Sequence, residues 1–216
     1  MQKRTISGQA AAMESYFAFI IASLLCTVAP GPDNLAIISL GLTHGRSAGI
    51  GFGIGCALGC LTHTIWATLG VAALVATSDL AFGILKFAGA AYLVFLGVKA
   101  LRSRGVEMNS APPEASSRFL VRGFIANAIN PKVALFFLAF LPQFVDPRRP
   151  LNVQMLLLGL SFAALTLAVF VPLGYFSGRL GIWLRRRPGF SRWMDRLTGA
   201  LFVGLAIRLA IARRAI

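Results

Sequence analysis

Long apolar stretches separated by short polar or basic ones occupy most of the chain, and their lengths predict helices that cross a bilayer. The first stretch, Tyr16 to about Leu42, is interrupted near its middle by Ala29-Pro30-Gly31-Pro32-Asp33-Asn34. Two prolines around a glycine remove backbone donors and clash with the preceding turn, so the helix is expected to break there, beside the only formal charge of the run, Asp33. The fourth stretch, about Phe119 to Val145, repeats the pattern as Asn127-Ala128-Ile129-Asn130-Pro131-Lys132, with a positive central charge. Each break resembles a helix start, with Gly31 before Pro32 and Asn130 as N-cap before Pro131, so each is expected to begin a half-helix whose donor-rich end suits an anionic group. A bilayer tolerates a break and a charge at that depth only where protein or a watery cavity satisfies them, which points to a transport pathway.

The remaining spans are about Ala48 to Val75, Leu80 to Leu101, Leu151 to Phe176 and Leu197 to Ile211. Ser103 to Ser117, with Pro112-Pro113 and several serines, reads as a flexible loop that divides the chain into halves. The expected organisation is an N-terminal extension (1–15), a first three-helix repeat (16–102), a cytoplasmic loop (103–118) and a second three-helix repeat (119–216). An odd number of spans per half forces the halves into opposite orientations. The fold class is therefore an all-α integral membrane protein of six helices in two inverted repeats, helices 1 and 4 broken, with the binding site at the repeat interface. Met1 to Met13 lacks the order of a cleaved signal peptide, and Met13 before Glu14 and Ser15 is a second candidate start.

Composition narrows the class. With 57% hydrophobic residues, 13% charged and 17 phenylalanines, the 216-residue chain fits neither a soluble domain nor a disordered one. The net charge of +14 comes from basic residues between the spans, so membrane lipid, not nucleic acid, is the expected polyanionic neighbour. Lys and Arg number 12 on the side of the first, third and fifth connectors and seven on the other, which places both termini away from the cytoplasm. Arg179, Arg185, Arg186, Arg187, Arg192 and Arg196 with Trp183 and Trp193 read as an interfacial connector between the last two spans.

Thr43-His44-Gly45-Arg46 reads as a short connector, and from there into the second span two small-residue series, Gly45, Gly49 and Gly53 with Gly51, Gly55 and Gly59, let other helices approach closely; such faces serve contacts within a protomer or a homodimer. His63, near the middle of that span, reads either as a buried histidine bonded to a backbone carbonyl or as a group handling protons or substrate. Lys86 reads as a snorkelling or paired charge. Cys26, Cys56 and Cys60 all lie in apolar runs and read as packing residues; no metal site, cofactor or enzymatic nucleophile is expected.

With these residues in hand, the chain resembles the LysE/RhtB family, the lysine exporter and homoserine/threonine exporter group of bacterial amino-acid efflux proteins, over about Met13 to Ala210. The resemblance rests on Pro30-Gly31-Pro32-Asp33 and Asn130-Pro131-Lys132, supported by Leu85 to Leu93 with Gly97 and Leu101-Arg102, by Phe136-Phe137 and Phe140 to Phe144, and by Leu197-Thr198-Gly199-Ala200. It implies a six-span exporter of the bacterial cytoplasmic membrane that moves an amino acid or derivative outward by proton antiport; an exporter of metal cations or other small metabolites is the alternative. The candidate pathway residues are Pro30, Gly31, Pro32, Asp33, Asn34, His63, Asn127, Asn130, Pro131 and Lys132. Asp33 and Lys132 are expected to form a buried pair in the empty carrier, which a zwitterionic amino acid replaces at both ends; a purely structural pair between kinked helices is the plainer reading.

Overall fold

A computed structural model describes residues 2–71, 79–102, 116–146 and 148–211, the first of these stretches by backbone alone up to residue 12. Most of the expected 103–118 loop, the end of the second span, the Lys86 side chain and the C-terminal arginines lie outside the described residues. Most of the described residues are helical, and none of them lies in a strand. The helices are α1 (Gln2–Val28), α2 (Pro32–His44), α3 (Arg46–Trp66), α4 (Asp79–Leu101), α5 (Ser116–Ala128), α6 (Pro131–Leu135), α7 (Leu151–Arg185) and α8 (Pro188–Ile211). Helix α3 continues into a π-helical turn at Ala67–Val71, and α6 into a π-helical turn at Phe136–Phe140 and a 3-10 turn at Leu141–Phe144.

Among the described residues two helices are long and apolar enough to span a membrane singly, Arg46–Leu69 and Leu151–Leu184, and the count rises to four when each bent pair is one span. The bends lie where the prolines predict: Met13–Val28 meets Pro32–His44 at 50°, and Arg118–Ala128 meets Pro131–Phe144 at 45°. Helix α4 has a shorter apolar stretch, Phe87–Lys99. Helix α1 is continuous from Gln2, and its apolar part starts at Met13.

Helix α3 is the centre of the bundle: 61% of its most apolar stretch is buried, against 28% for that of α7. Its glycines allow this. A Cβ on Gly55 would collide with the Leu120 carbonyl of α5, and one on Gly123 of α5 with the Phe52 carbonyl of α3, so the two backbones touch. Gly49 and Gly53 lie close against Gly174 and Phe170 of α7, where an added Cβ would come within 3.1 and 3.0 Å. Gly45 does not pack; it turns the chain between α2 and α3 at φ 84°, a conformation that favours glycine.

These contacts fix directions. On α3, residues 49, 53 and 64 meet 174, 170 and 159 of α7, an antiparallel pair, whereas 55 and 59 meet 120 and 127 of α5, a parallel one. Gly97 and Leu101 of α4 meet Val203 and Gly199 of α8, again antiparallel. The Gly45 turn, the start of α5 and the end of α7 consequently lie at one end of the bundle, where Arg46 stacks on Tyr175 and Arg187 on Trp183, with 5.4 and 5.5 Å from guanidinium carbon to ring centroid.

The arginine-rich connector is not a loop. Helix α7 runs 35 residues through Pro172 to Arg185, and α8 starts at Pro188. Leu, Arg and Trp continue a helix at little cost, and at 1.5 Å per residue α7 is about 52 Å long, well beyond a hydrocarbon core of about 30 Å.

Candidate functional site

The break in the first span frees the carbonyls at the end of α1, and two of them find side-chain donors. Asn34 Nδ2 donates to the Thr27 carbonyl at 3.0 Å, and Lys132 Nζ, arriving from the other break, donates to the Ala29 carbonyl at 3.0 Å. At the second break Asn130 is the expected cap: its backbone is extended and its Oδ1 accepts from Lys132 N at 2.9 Å. Gly31 is extended too, without a side-chain cap. The second half-helix departs from expectation. Only five residues of α6 are α-helical before the backbone widens and then tightens, because Phe136, Phe137, Phe140 and Leu141 are all nearly fully buried and turn together into one aromatic cluster.

Asp33 and Lys132 are both buried, 3% and 6% exposed. They face the same cavity of about 10 Å³, lined also by Cys26, Thr27, Asn127, Phe162 and Thr166. They are not in ion-pair contact with each other. Asp33 Oδ2 instead accepts from Asn127 Nδ2 at 2.8 Å, and Lys132 turns to the Ala29 carbonyl. The expected direct pair is thus replaced by two polar contacts to helix ends, and a cavity of that size has room for about one water. An amino acid does not fit between the two charges in this conformation.

His63 joins the same network. Its Nε2 lies 2.8 Å from the Asn127 carbonyl, which can only accept, so Nε2 carries the hydrogen. Its ring packs on Phe137, centroids 5.7 Å apart. Cys60 Sγ lies 3.5 Å from Asn127 Oδ1. Asn127 thereby holds Asp33 with its side chain and His63 with its backbone.

A larger pocket of about 320 Å³ opens on the other side of the crossing. The breaks form one wall through Pro30, Gly31, Pro32, Asn130, Pro131 and Lys132, and α4 and α8 the other through Tyr92, Phe95, Leu96, Lys99 and Phe202. All the expected pathway residues lie at the crossing except His63 and Asn34, which brace it from behind. Sequence reasoning missed the α4 and α8 wall, because nothing local to Tyr92 or Phe202 signals a pocket shared with breaks far away along the chain. Cys26, Thr27 and Thr166 were missed as cavity-lining groups for the same reason. Among the described charged residues, Lys132 alone lines both spaces.

Comparison with known proteins decides the family. The family model described as LysE type translocator matches residues 24–213. The chain belongs to the LysE type translocator family. This translocator is 35% identical over 202 residues to an uncharacterized membrane protein of Vibrio cholerae, covering 92% of this chain and 97% of that one. It is 30% identical to a homoserine/homoserine lactone efflux protein of Salmonella typhimurium (94% and 98% covered) and 30% identical to a leucine efflux protein of Enterobacter sp. (91% and 95%). No solved structure matches it. The translocator is a multi-pass protein of the bacterial inner membrane.

One consequence of the geometry is directly measurable. A Cβ on Gly31 would lie 2.8 Å from Lys132 Nζ, the mobile tip of a long side chain. Gly31→Ala is therefore expected to displace the ammonium while changing stability by less than about 1 kcal/mol, and to lower transport at least about 10-fold. Transport rates at matched abundance, with a thermal unfolding midpoint as control, check both halves of that expectation.

Proposed function

We infer that this translocator exports an amino acid or amino-acid derivative from the cytoplasm in exchange for protons, as a six-span carrier of two inverted three-helix repeats. The observation that carries this reading is the pair of buried, opposite charges, one on each broken helix, that share a cavity without neutralising each other. Two such charges are costly to bury unless ligands engage them in turn. The antiparallel α3/α7 and α4/α8 pairs support the inverted repeat, since each joins corresponding helices of the two halves. The homoserine/homoserine lactone and leucine efflux relatives support amino-acid cargo. Among the described residues no three His, Cys, Asp or Glu side chains come together to hold a metal ion, which favours this cargo over a cation.

In this reading the arginine-rich end faces the cytoplasm, and the 320 Å³ pocket, which extends from the breaks toward Lys99 and the last turn of α4, is the inward vestibule. The opposite side is shut by Phe19, Phe136, Phe137, Phe140 and Phe162, all at most 4% exposed, with ring centroids as close as 5.0 Å. The conformation is inward-facing. Substrate enters the vestibule and its carboxylate meets the Lys132 ammonium; after reorientation, a proton from outside reaches Asp33 and resets the carrier.

The test is efflux from proteoliposomes preloaded with a panel of labelled amino acids under an imposed proton gradient. Gradient-dependent release of one or a few compounds supports the reading, and release of none by folded protein refutes it. His63→Gln separates the two proton carriers, because glutamine's amide can still donate to the Asn127 carbonyl. Efflux that keeps its gradient dependence assigns the proton to Asp33, and loss of that dependence in folded protein assigns it to His63.

A further inference from the structure

The vestibule's two walls have different chemistry, and the difference is selective. The wall made by the breaks presents donors. Lys132 Nζ has three hydrogens and, among the described residues, one protein acceptor, the Ala29 carbonyl. Asn130 is 3% exposed; its Oδ1 is used as the cap, and its Nδ2 is a buried donor with no hydrogen-bond partner. A buried donor left this way costs free energy that a ligand oxygen recovers on binding. The facing wall, from α4 and α8, is apolar at Phe95, Leu96 and Phe202, with Tyr92 beside them. Among the described residues no acidic side chain lines the pocket, and Lys99 adds a second positive charge to it.

We propose that the vestibule selects neutral amino acids with apolar side chains, seizing them by the carboxylate between Lys132 Nζ and Asn130 Nδ2 and laying the side chain against Phe95, Leu96 and Phe202. The proposal rests on the exporter reading and names its cargo class. The α-ammonium is not the primary handle at this stage, because the pocket's described lining offers it no carboxylate, and a cationic side chain meets two lysines and an apolar wall. A pocket of about 320 Å³ also accommodates one such molecule with space for a few waters.

The experiment is a competition assay on the full chain in nanodiscs, with radiolabelled leucine as probe and 4-methylpentanoate, leucinamide, lysine and homoserine as competitors. The first competitor lacks only the amine and is expected to compete within about 10-fold of leucine; leucinamide, without the carboxylate, and lysine are expected to be at least about 10-fold weaker, with homoserine between. Asn130→Asp keeps the capping oxygen but exchanges the free donor for an acceptor, and is expected to weaken leucine at least about 10-fold. Leucinamide equal to leucine, lysine tighter than leucine, or leucine unaffected by Asn130→Asp in folded protein would each overturn the proposal. Failure of leucine to bind while the efflux panel shows export of another amino acid overturns this cargo class and leaves the exporter reading standing. Silence of the whole panel removes the exporter reading itself.

Discussion

On the proposed antiport mechanism, the Asp33→Asn protein is expected to fold and to exchange labelled for unlabelled amino acid across a membrane, yet to lose gradient-driven net efflux to below about a tenth of the unsubstituted rate. The expectation starts from the shape of the substitution. Asparagine has the size of aspartate and retains an oxygen to accept from Asn127 Nδ2, the contact made by the carboxylate at 2.8 Å. The network through Asn127 to His63 is preserved, and so is the cap that brings Lys132 to the pocket. What disappears is the ability to take up and release a proton at the cavity. Exchange involves no net proton movement and survives, whereas net outward transport against a gradient does not. Parallel counterflow and gradient-driven efflux on the same proteoliposomes measure the two separately. Full net efflux from the Asp33→Asn protein would exclude Asp33 as the proton carrier, and loss of both activities would assign it to substrate binding.

The second large effect is on stability. Gly123→Val is expected to destabilise the protein by at least about 3 kcal/mol, at the upper end of what overpacking costs elsewhere. The reason is what the new atoms would meet. A Cβ at Gly123 runs into the Phe52 carbonyl and one at Gly55 into the Leu120 carbonyl, and both are backbone atoms of helices that cannot give way like a side chain. Helices α3 and α5 would have to separate, breaking the packing that brings Asn127 to Asp33 and His63. Gly204, where a Cβ would meet nothing within 4 Å, is the control. Gly204→Ala is expected to be neutral or to stabilise by up to about 1 kcal/mol through helix propensity. Reversible unfolding in mixed detergent micelles gives both values, and a Gly123→Val midpoint equal to that of Gly204→Ala would contradict the close approach of the two backbones.

Much of this was legible in the residues. Proline constrains φ and removes a donor wherever it occurs, so Pro30-Gly31-Pro32 and Asn130-Pro131 announce the two bends and the Asn130 cap without tertiary information. Glycine spacing likewise announces α3 as a helix approached on two faces. Legibility ends where the outcome depends on which helix arrives opposite. Opposite charges on two kinked helices suggest an ion pair, but the breaks that bring them close also release carbonyl oxygens, and the Ala29 carbonyl takes Lys132 while Asn127 takes Asp33. Gly45 shares the spacing of the packing glycines but is the turn that its place in the Thr43 to Arg46 connector suggests, because no neighbour approaches its Cβ position and its φ is positive. The arginine run after Gly178 has the charge of a surface loop and the propensity of a helix, and propensity decides. The pocket's second wall, made by α4 and α8, is a product of assembly alone.

The sandwiching of α3 has a consequence for biosynthesis. Its two glycine faces are complementary to α5 and α7, which lie on the far side of the dividing loop and leave the ribosome later. At about 5–20 residues per second, the roughly 120 residues between Trp66 and Arg185 take about 6–25 s to make. For that interval the central helix of the finished bundle waits in the bilayer or at the insertion machinery without its full set of neighbours, α5 being complete at Ala128 and α7 only at Arg185. The first half of the chain is thus a nascent segment whose quality control depends on the second.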